Sequence, residues 1–137
     1  MTIDALNNFC RNSLVGHLDI VFTEYGETYI KARMPVSSHQ IQPMGVLHGG
    51  ASLALAETVG SAGSLLSVDQ TKFDVFGLQV TANHVSTISS GEVTAHAELI
   101  HKGNTTHVWD VKITGPDGKL VSVARVTNIV VEKKLDR

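Results

Sequence analysis

One carboxylate, Glu57, stands alone in a long uncharged stretch of the sequence. It is the only formally charged side chain between Arg33 and Asp69. The segment from Gly49 to Val68 is otherwise apolar, small or hydroxylic, and its length and Ala and Leu content predict a helix at the hydrophobic centre. A carboxylate there is costly to ionise without a partner, and a perturbed carboxylate in a pocket is a candidate catalytic group. The alternatives are a glutamate paired with a distant cation and one on the wet side of the helix.

A loop and a glycine pair precede this helix and supply further candidate groups. Gln42 lies in a polar loop, His48 follows six residues later, and Gly49 and Gly50 then open the helix. The two glycines leave backbone N–H groups uncovered at a helix N-terminus, where the macrodipole favours negative charge. Such a site can polarise a carbonyl group, hold an oxyanion or bind phosphate, although the GK[ST] ending of a Walker loop is missing. Glycines chosen only for tight helix entry are the structural alternative.

Other chemistries find little support in the sequence. The histidines show no metal-binding spacing, no GxSxG motif occurs, and the single cysteine excludes a disulfide framework and a Cys-based zinc site. A net charge of -2 with scattered Lys and Arg gives no case for nucleic acid. The N-terminus lacks the pattern of a signal peptide, and Glu57 with four Gly and four Ser makes the apolar helix unsuited to a membrane. These features predict a cytoplasmic protein.

The elements that must position these groups follow from alternation and turn signals. A short helix capped by Thr2 precedes two strand-like segments, which are separated by a Gly26-Glu27 hairpin signal. After the long helix come four more strand candidates, over residues 75–86, 92–103, 106–115 and 119–133. The last two are joined by Pro116-Asp117-Gly118, a strong turn signal. The order predicts one α+β domain over residues 1–137, with these four strands as an antiparallel meander. Because the helix is rich in small residues, a strongly curved sheet can wrap around it.

The run QPMGVLHGGASLALAETVGSAG closely resembles the hotdog-fold acyl-CoA thioesterases, in the branch that contains 4-hydroxybenzoyl-CoA thioesterase. The segments LVGHLDIVF, GLQVTANHVS and HVWDVKITGPDGKLV are similar to the 1,4-dihydroxy-2-naphthoyl-CoA and enterobactin-system proofreading thioesterases. The resemblance therefore extends over nearly the whole chain. The related phenylacetyl-CoA thioesterases typically place Asp where this chain has Glu57. The resemblance implies a hotdog fold and hydrolysis of acyl-CoA, with coenzyme A as part of the substrate and no metal or organic cofactor.

The resemblance also implies a role for each candidate group. Glu57 acts as nucleophile or general base at the thioester carbonyl, which the Gly49 N–H polarises. His48 and Gln42 orient the thioester, and Ser61 hydrogen-bonds the carboxylate or the leaving group. The site lies across a dimer, with the loop and Gly49 of one subunit facing Glu57 of the other, and the dimers pair into a homotetramer. Two groups that are about 12 Å apart along one helix can thereby face one substrate.

The resemblance assigns the remaining substrate contacts less fully. Thr58 matches a hydroxyl position beside the acid, and the contacts to the pantetheine arm and nucleotide phosphates are His84, Gly103, Asn104, Thr105 and Thr106. For the two threonines the alternative is that they merely start a strand. Relatives often carry Arg where this chain has Ser86, and a basic residue near Asn104. Lys102 is the nearby cation that could compensate.

The sequence and the resemblance also indicate a substrate class and leave two other functions open. We expect aromatic acyl-CoA thioesters to be preferred, at a site entrance lined by Ile41, Met44, Val46 and Leu47. The alternatives are a broad-range proofreading thioesterase acting on misloaded acyl or aroyl carrier proteins, and a non-catalytic acyl-CoA-binding hotdog protein. A dehydratase of the related hotdog type is disfavoured, because the HGG entry to the helix does not match its motif.

Overall fold

Six strands form one antiparallel sheet in the computed structural model, which describes residues 1–134. The long helix α3 packs against this sheet, as predicted, and two short helices precede the first strand. The elements are α1 (Ile3–Cys10), α2 (Leu14–His17), β1 (Val21–Tyr25), β2 (Tyr29–Pro35), α3 (Gly49–Leu66), β3 (Phe73–His84), β4 (Glu92–Lys102), β5 (Thr106–Thr114) and β6 (Leu120–Glu132). The predicted α+β hotdog arrangement is confirmed. None of the helices in residues 1–134 combines the length and hydropathy of a transmembrane span.

The strand order is β1-β2-β4-β5-β6-β3, which corrects the predicted four-strand meander. Strands β4, β5 and β6 do form a meander, but β3 pairs with β6 at the edge of the sheet and not with β4. The chain reaches that edge after crossing the sheet as α3, and the segment 85–91 then returns it to pair β4 with β2. The prediction assumed that strands joined by short connections are neighbours in the sheet. Here β3 begins at the edge of the sheet because α3 ends there.

Small residues let α3 lie directly on the sheet. Leu55, Ala56 and Val59 are fully buried against it. A Cβ at Gly63 would lie 2.5 Å from the Trp109 ring, closer than two carbon atoms can approach. Close-packed interiors tolerate no such overlap. The predicted close approach of a Gly-, Ala- and Ser-rich helix to the sheet is therefore confirmed.

A buried hydrogen-bond network joins α3 to β5 and β6 around the Ser64 hydroxyl. Its oxygen accepts from Trp109 Nε1 at 2.8 Å and from Asn128 Nδ2 at 2.9 Å, and it lies 2.8 Å from His107 Nδ1. The first two groups are donors only and occupy both lone pairs, so the hydroxyl proton points to His107 Nδ1. His107 is thereby fixed as the neutral tautomer protonated at Nε2. Burial, which lowers the pKa of His107, favours the same neutral form.

Candidate active site

Glu57 lies on the exposed side of α3, while its neighbours Leu55, Ala56 and Val59 face the sheet. The prediction of a carboxylate in the hydrophobic centre is therefore wrong for the single chain. Successive helical residues are about 100° apart, so an apolar helix at the centre of a protein can still present one face outward. The wet-side alternative describes the surroundings of Glu57 in one chain.

The Glu57 carboxylate lies over the edge strand β3 at Gly77. A Cβ on Gly77 would be 2.7 Å from Glu57 Oε2 and 3.0 Å from Cδ. The register of β3 against β6 is also irregular between Gly77 and Gln79. Bulges of this kind are frequent beside active sites, where they redirect a strand. The missing side chain at Gly77 thus leaves the room that the carboxylate occupies.

A cleft of about 390 Å³ opens beside Glu57. Its other lining residues are Leu14, Val15, Ala54, Thr58 and Ser61. The structure therefore brings together three predicted site residues of α3, and it adds an apolar wall from α2 that no sequence motif indicated. The predicted entrance residues do not line this cleft within one chain: Met44 is 85% exposed, and Val46 lines a separate cavity.

Ser61 is connected to the buried network through Asn128. Its hydroxyl donates to Asn128 Oδ1 at 3.4 Å, while Asn128 Nδ2 donates to Gly60 O at 3.0 Å. The partner of the Ser61 hydroxyl in the single chain is therefore Asn128 and not the predicted Glu57. The predicted contact to the leaving group stays a prediction. Asn128 was not predicted as a site residue, although one signal marks it. It is a polar residue at an inward position of β6, between the buried residues Val126 and Val130.

The N-terminus of α3 is capped by His48, whose Nδ1 accepts from the Gly50 N–H at 2.7 Å. The prediction of two uncovered N–H groups is therefore corrected, because His48 occupies the one on Gly50. Within residues 1–134 the Gly49 N–H has no acceptor. The cap also requires an unprotonated Nδ1, which leaves the His48 ring N–H at Nε2. One polarised backbone donor and one ring donor thus remain at this helix end.

The loop before α3 is fixed by Gln40, which was not among the predicted site residues. Gln40 is buried; its Oε1 accepts from the Ser37 hydroxyl at 2.7 Å, and its Nε2 donates to Leu18 O at 2.7 Å. The backbone N–H of His48 donates to Gln40 O at 2.8 Å. Gln42 is half-buried, and its Oε1 accepts from the Met44 N–H. The two glutamines share one polar run, so nothing local distinguished the structural residue from the candidate site residue.

His84 lies at the N-terminus of α3, next to Gly49. A Cβ on Gly49 would be 2.8 Å from His84 Nε2. The other ring nitrogen, Nδ1, is 2.9 Å from the buried Ser122 hydroxyl, which lies 3.3 Å from Asn83 O. Because Ser122 donates its one proton to that carbonyl, it accepts from Nδ1–H, and Nε2 carries the free lone pair. The predicted pantetheine contact therefore borders the predicted carbonyl-polarising group.

The turn at residues 103–106 lies at the opposite end of α3. Lys102 Nζ donates to the carbonyl oxygen of Ser67, the C-cap residue of the helix. Gly103 N donates to Thr106 O at 2.8 Å, and Thr106 begins β5. Thr106 therefore does start a strand, while its contact to coenzyme A stays a prediction. His84 and the turn do not form one site within a single chain. Among residues 1–134, no group of three or more His, Cys, Asp and Glu side chains could hold a metal ion.

Comparisons with known proteins show what the sequence and the fold of this chain are similar to. The family model described as the thioesterase superfamily matches residues 44–122. A crystal structure of a mutant thioesterase from Pseudomonas aeruginosa has a TM-score of 0.95 and 44% sequence identity, covering 97% of this chain and 96% of that one. The 1,4-dihydroxy-2-naphthoyl-CoA hydrolase of Escherichia coli K12 is 39% identical, covering 96% of each chain. The proofreading thioesterase EntH of Cronobacter sakazakii is 35% identical, covering 96% of this chain and 95% of that protein.

Proposed function

Since the chain belongs to the thioesterase superfamily and is a thioester hydrolase, we propose that it hydrolyses aromatic acyl-CoA thioesters, with Glu57 as the catalytic carboxylate. The products are the free acid and coenzyme A. Coenzyme A enters only as part of the substrate, and the reaction needs no metal or organic cofactor. The exposed carboxylate at the mouth of a 390 Å³ cleft supports this assignment, because a reacting group must be reachable by substrate.

The proposed chemistry divides between two groups. The Gly49 N–H donates to the thioester oxygen, where negative charge develops as the carbonyl carbon becomes tetrahedral. Glu57 either takes a proton from the attacking water or attacks the carbon itself, forming an anhydride that water then hydrolyses. In both routes the C–S bond breaks and the sulfur leaves with its electron pair as a thiolate, which is protonated by the Glu57 carboxyl group or by water. His48 Nε2–H and the Gln42 amide are the donors that orient the thioester, and Ser61 and Thr58 are hydroxyls beside the carboxylate.

The distance between the two reacting groups supports an active site that is shared between two chains. Gly49 and Glu57 lie in the one continuous helix α3, eight residues apart. At 1.5 Å of rise per residue this is about 12 Å, too far for both groups to act on the same carbonyl. A second copy of the chain can place its Glu57 opposite the Gly49 of the first.

The edge strand β3 supplies the surface for such a pairing. Among residues 1–134 no strand pairs with its outer edge, and the strand is 12 residues long with Phe76 and Leu78 exposed. Long apolar edges are normally covered in native proteins. Gly77 marks the Glu57 position on β3, and His84 marks the Gly49 position. An antiparallel two-fold pairing that sets Gly77 opposite His84 of the partner would bring Glu57 to the partner's helix N-terminus.

The same pairing reunites the predicted contacts to coenzyme A. Strand β3 begins at the C-terminal end of α3, near the turn 103–106, and ends at His84 beside the helix N-terminus. An antiparallel partner would therefore bring its turn, with Gly103, Asn104, Thr105 and Thr106, toward His84 of the first chain. The homotetramer, as a dimer of such dimers, needs a second interface and stays a prediction.

A panel of acyl-CoA thioesters tests the proposed substrate class. We expect a ten- to hundredfold higher kcat/KM for benzoyl-CoA than for acetyl-CoA, because a buried ring is worth roughly 1.5–3 kcal/mol if the contact is realised in the transition state. Hexanoyl-CoA buries a similar area and should fall closer to benzoyl-CoA. Thiol release in steady state is the measurement. Acetyl-CoA hydrolysed as efficiently as benzoyl-CoA would refute the aromatic preference, while the thioesterase activity would stand.

The second candidate is a proofreading role on carrier proteins, favoured by the relative that carries that name. The phosphopantetheine arm is common to coenzyme A and carrier proteins, so the reacting end of the substrate is the same. A benzoyl group on a carrier protein, compared with benzoyl-CoA in the same assay, distinguishes the two. A higher kcat/KM for the carrier-bound thioester would favour proofreading.

A further inference from the structure

The apolar wall of the cleft is built by an exposed but tightly fixed chain corner. Leu14, the first residue of α2, is 63% exposed, yet it lines the cleft beside Glu57. Val15 lines it too and also packs against the core. A large exposed apolar side chain gains little stability from its position. Its placement at the mouth of a catalytic cleft is explained if a substrate group covers it.

Three local features hold this corner in one conformation. The Ser13 hydroxyl donates to Cys10 O at 2.6 Å and accepts from the Val15 N–H at 3.2 Å, so it joins α1 to α2. A Cβ on Gly16 would lie 1.9 Å from the Arg11 carbonyl oxygen, a contact that only glycine permits. Asp19, two residues after the end of α2, has a φ of 57°, the left-handed conformation that few non-glycine residues adopt. The backbone that carries Leu14 is therefore strongly constrained.

We propose that Leu14, supported by Val15, is the acyl-specificity wall of this enzyme and contacts the acyl group of the bound thioester. This inference rests on the proposed function. The cleft is apolar on the α2 side and polar on the α3 side, where Glu57, Thr58 and Ser61 lie. An acyl group with a ring or a medium-length chain would lie against Leu14 while its carbonyl carbon faces the carboxylate. An acetyl group is too short to use this wall.

The test is the specificity ratio of the Leu14→Ala variant. The ratio of kcat/KM for benzoyl-CoA to that for acetyl-CoA should fall about tenfold, within the range for apolar groups lost from a hydrophobic pocket. The ratio does not depend on the fraction of correctly folded enzyme, so a partial loss of folding cannot imitate the result. Phe9→Ala is the matched control, because Phe9 is also exposed, at 70%, on the preceding helix but does not line the cleft. Its ratio should equal that of the wild type.

The possible results distinguish a failure of the Leu14 proposal from a failure of the proposed function. A wild-type enzyme that prefers benzoyl-CoA, together with a Leu14→Ala variant that keeps the same ratio, would overturn the wall and leave the proposed function standing. A wild-type enzyme without preference for benzoyl-CoA or hexanoyl-CoA over acetyl-CoA would overturn both. The Leu14→Trp substitution narrows the cleft. It should therefore lower kcat/KM for benzoyl-CoA more than kcat/KM for acetyl-CoA.

Discussion

Replacing Glu57 by glutamine should lower kcat for benzoyl-CoA by about 10²–10⁴-fold, and by more if the carboxylate is also the nucleophile. Glutamine keeps the size of the side chain and removes its charge and basicity. The substituted side chain is exposed in the single chain, so the fold of the chain should not depend on it. The far-UV circular dichroism spectrum and the Tm should therefore match those of the wild type.

Glu27→Gln is the matched control for this substitution. Glu27 is an exposed carboxylate in the turn between β1 and β2, outside the cleft that contains Glu57. Its loss should leave thiol release unchanged. Near-wild-type thiol release by Glu57→Gln would contradict a mechanism that depends on the Glu57 carboxylate, because no other carboxylate lines this cleft among residues 1–134.

Gly77→Ala should reduce kcat by about 10²-fold while the protein remains folded. The new Cβ would lie 2.7 Å from Glu57 Oε2, and the carboxylate is the flexible end of its side chain, so it can move aside at small cost in stability. A displacement of about 1 Å of a reacting group can cost about 10² in rate. Thermal unfolding and steady-state kinetics on the same sample separate the two effects.

Two comparisons make the Gly77 result specific. Gly115→Ala is the matched control, because a Cβ there would come no closer than 3.4 Å to Ile88 Cδ1, an ordinary contact. The double variant Gly77→Ala with Glu57→Gln should be no slower than Glu57→Gln alone, since both changes act on one carboxylate. Fully additive losses would show that Gly77 affects the reaction by another route.

Much of the local structure could be predicted from the sequence. The small residues of α3, the Gly26-Glu27 hairpin and the Pro116-Asp117-Gly118 turn mark their elements directly, and the structure has them. The place of β3 could not be predicted, because it depends on where the chain emerges after α3 has crossed the sheet. Strand pairing at such a distance carries no local signal.

The orientation of α3 limited the prediction of the site. The segment around Glu57 is nearly uniform in apolar and small residues, so no polar stripe marks which face is outward. The cap at His48 was missed because Ser, Thr, Asp and Asn are the usual capping residues. Leu14 lies far from Glu57 in sequence, and only the packing of α2 beside α3 brings the two to one cleft. Long-range packing was therefore the missing information for the face of α3 and for Leu14, whereas the cap at His48 is a local contact made by an unusual residue type.

Restoration of activity by mixing two inactive variants tests the central claim most directly. Glu57→Ala and His48→Ala chains, unfolded together and refolded, should regain about a quarter of the wild-type sites for random two-fold dimers, because half of the dimers are mixed and one of their two sites is intact. Each variant refolded alone is the control. We predict thiol release from benzoyl-CoA near a quarter of the wild-type rate. Activity that stays at the level of the separate variants would contradict a catalytic site shared between two chains.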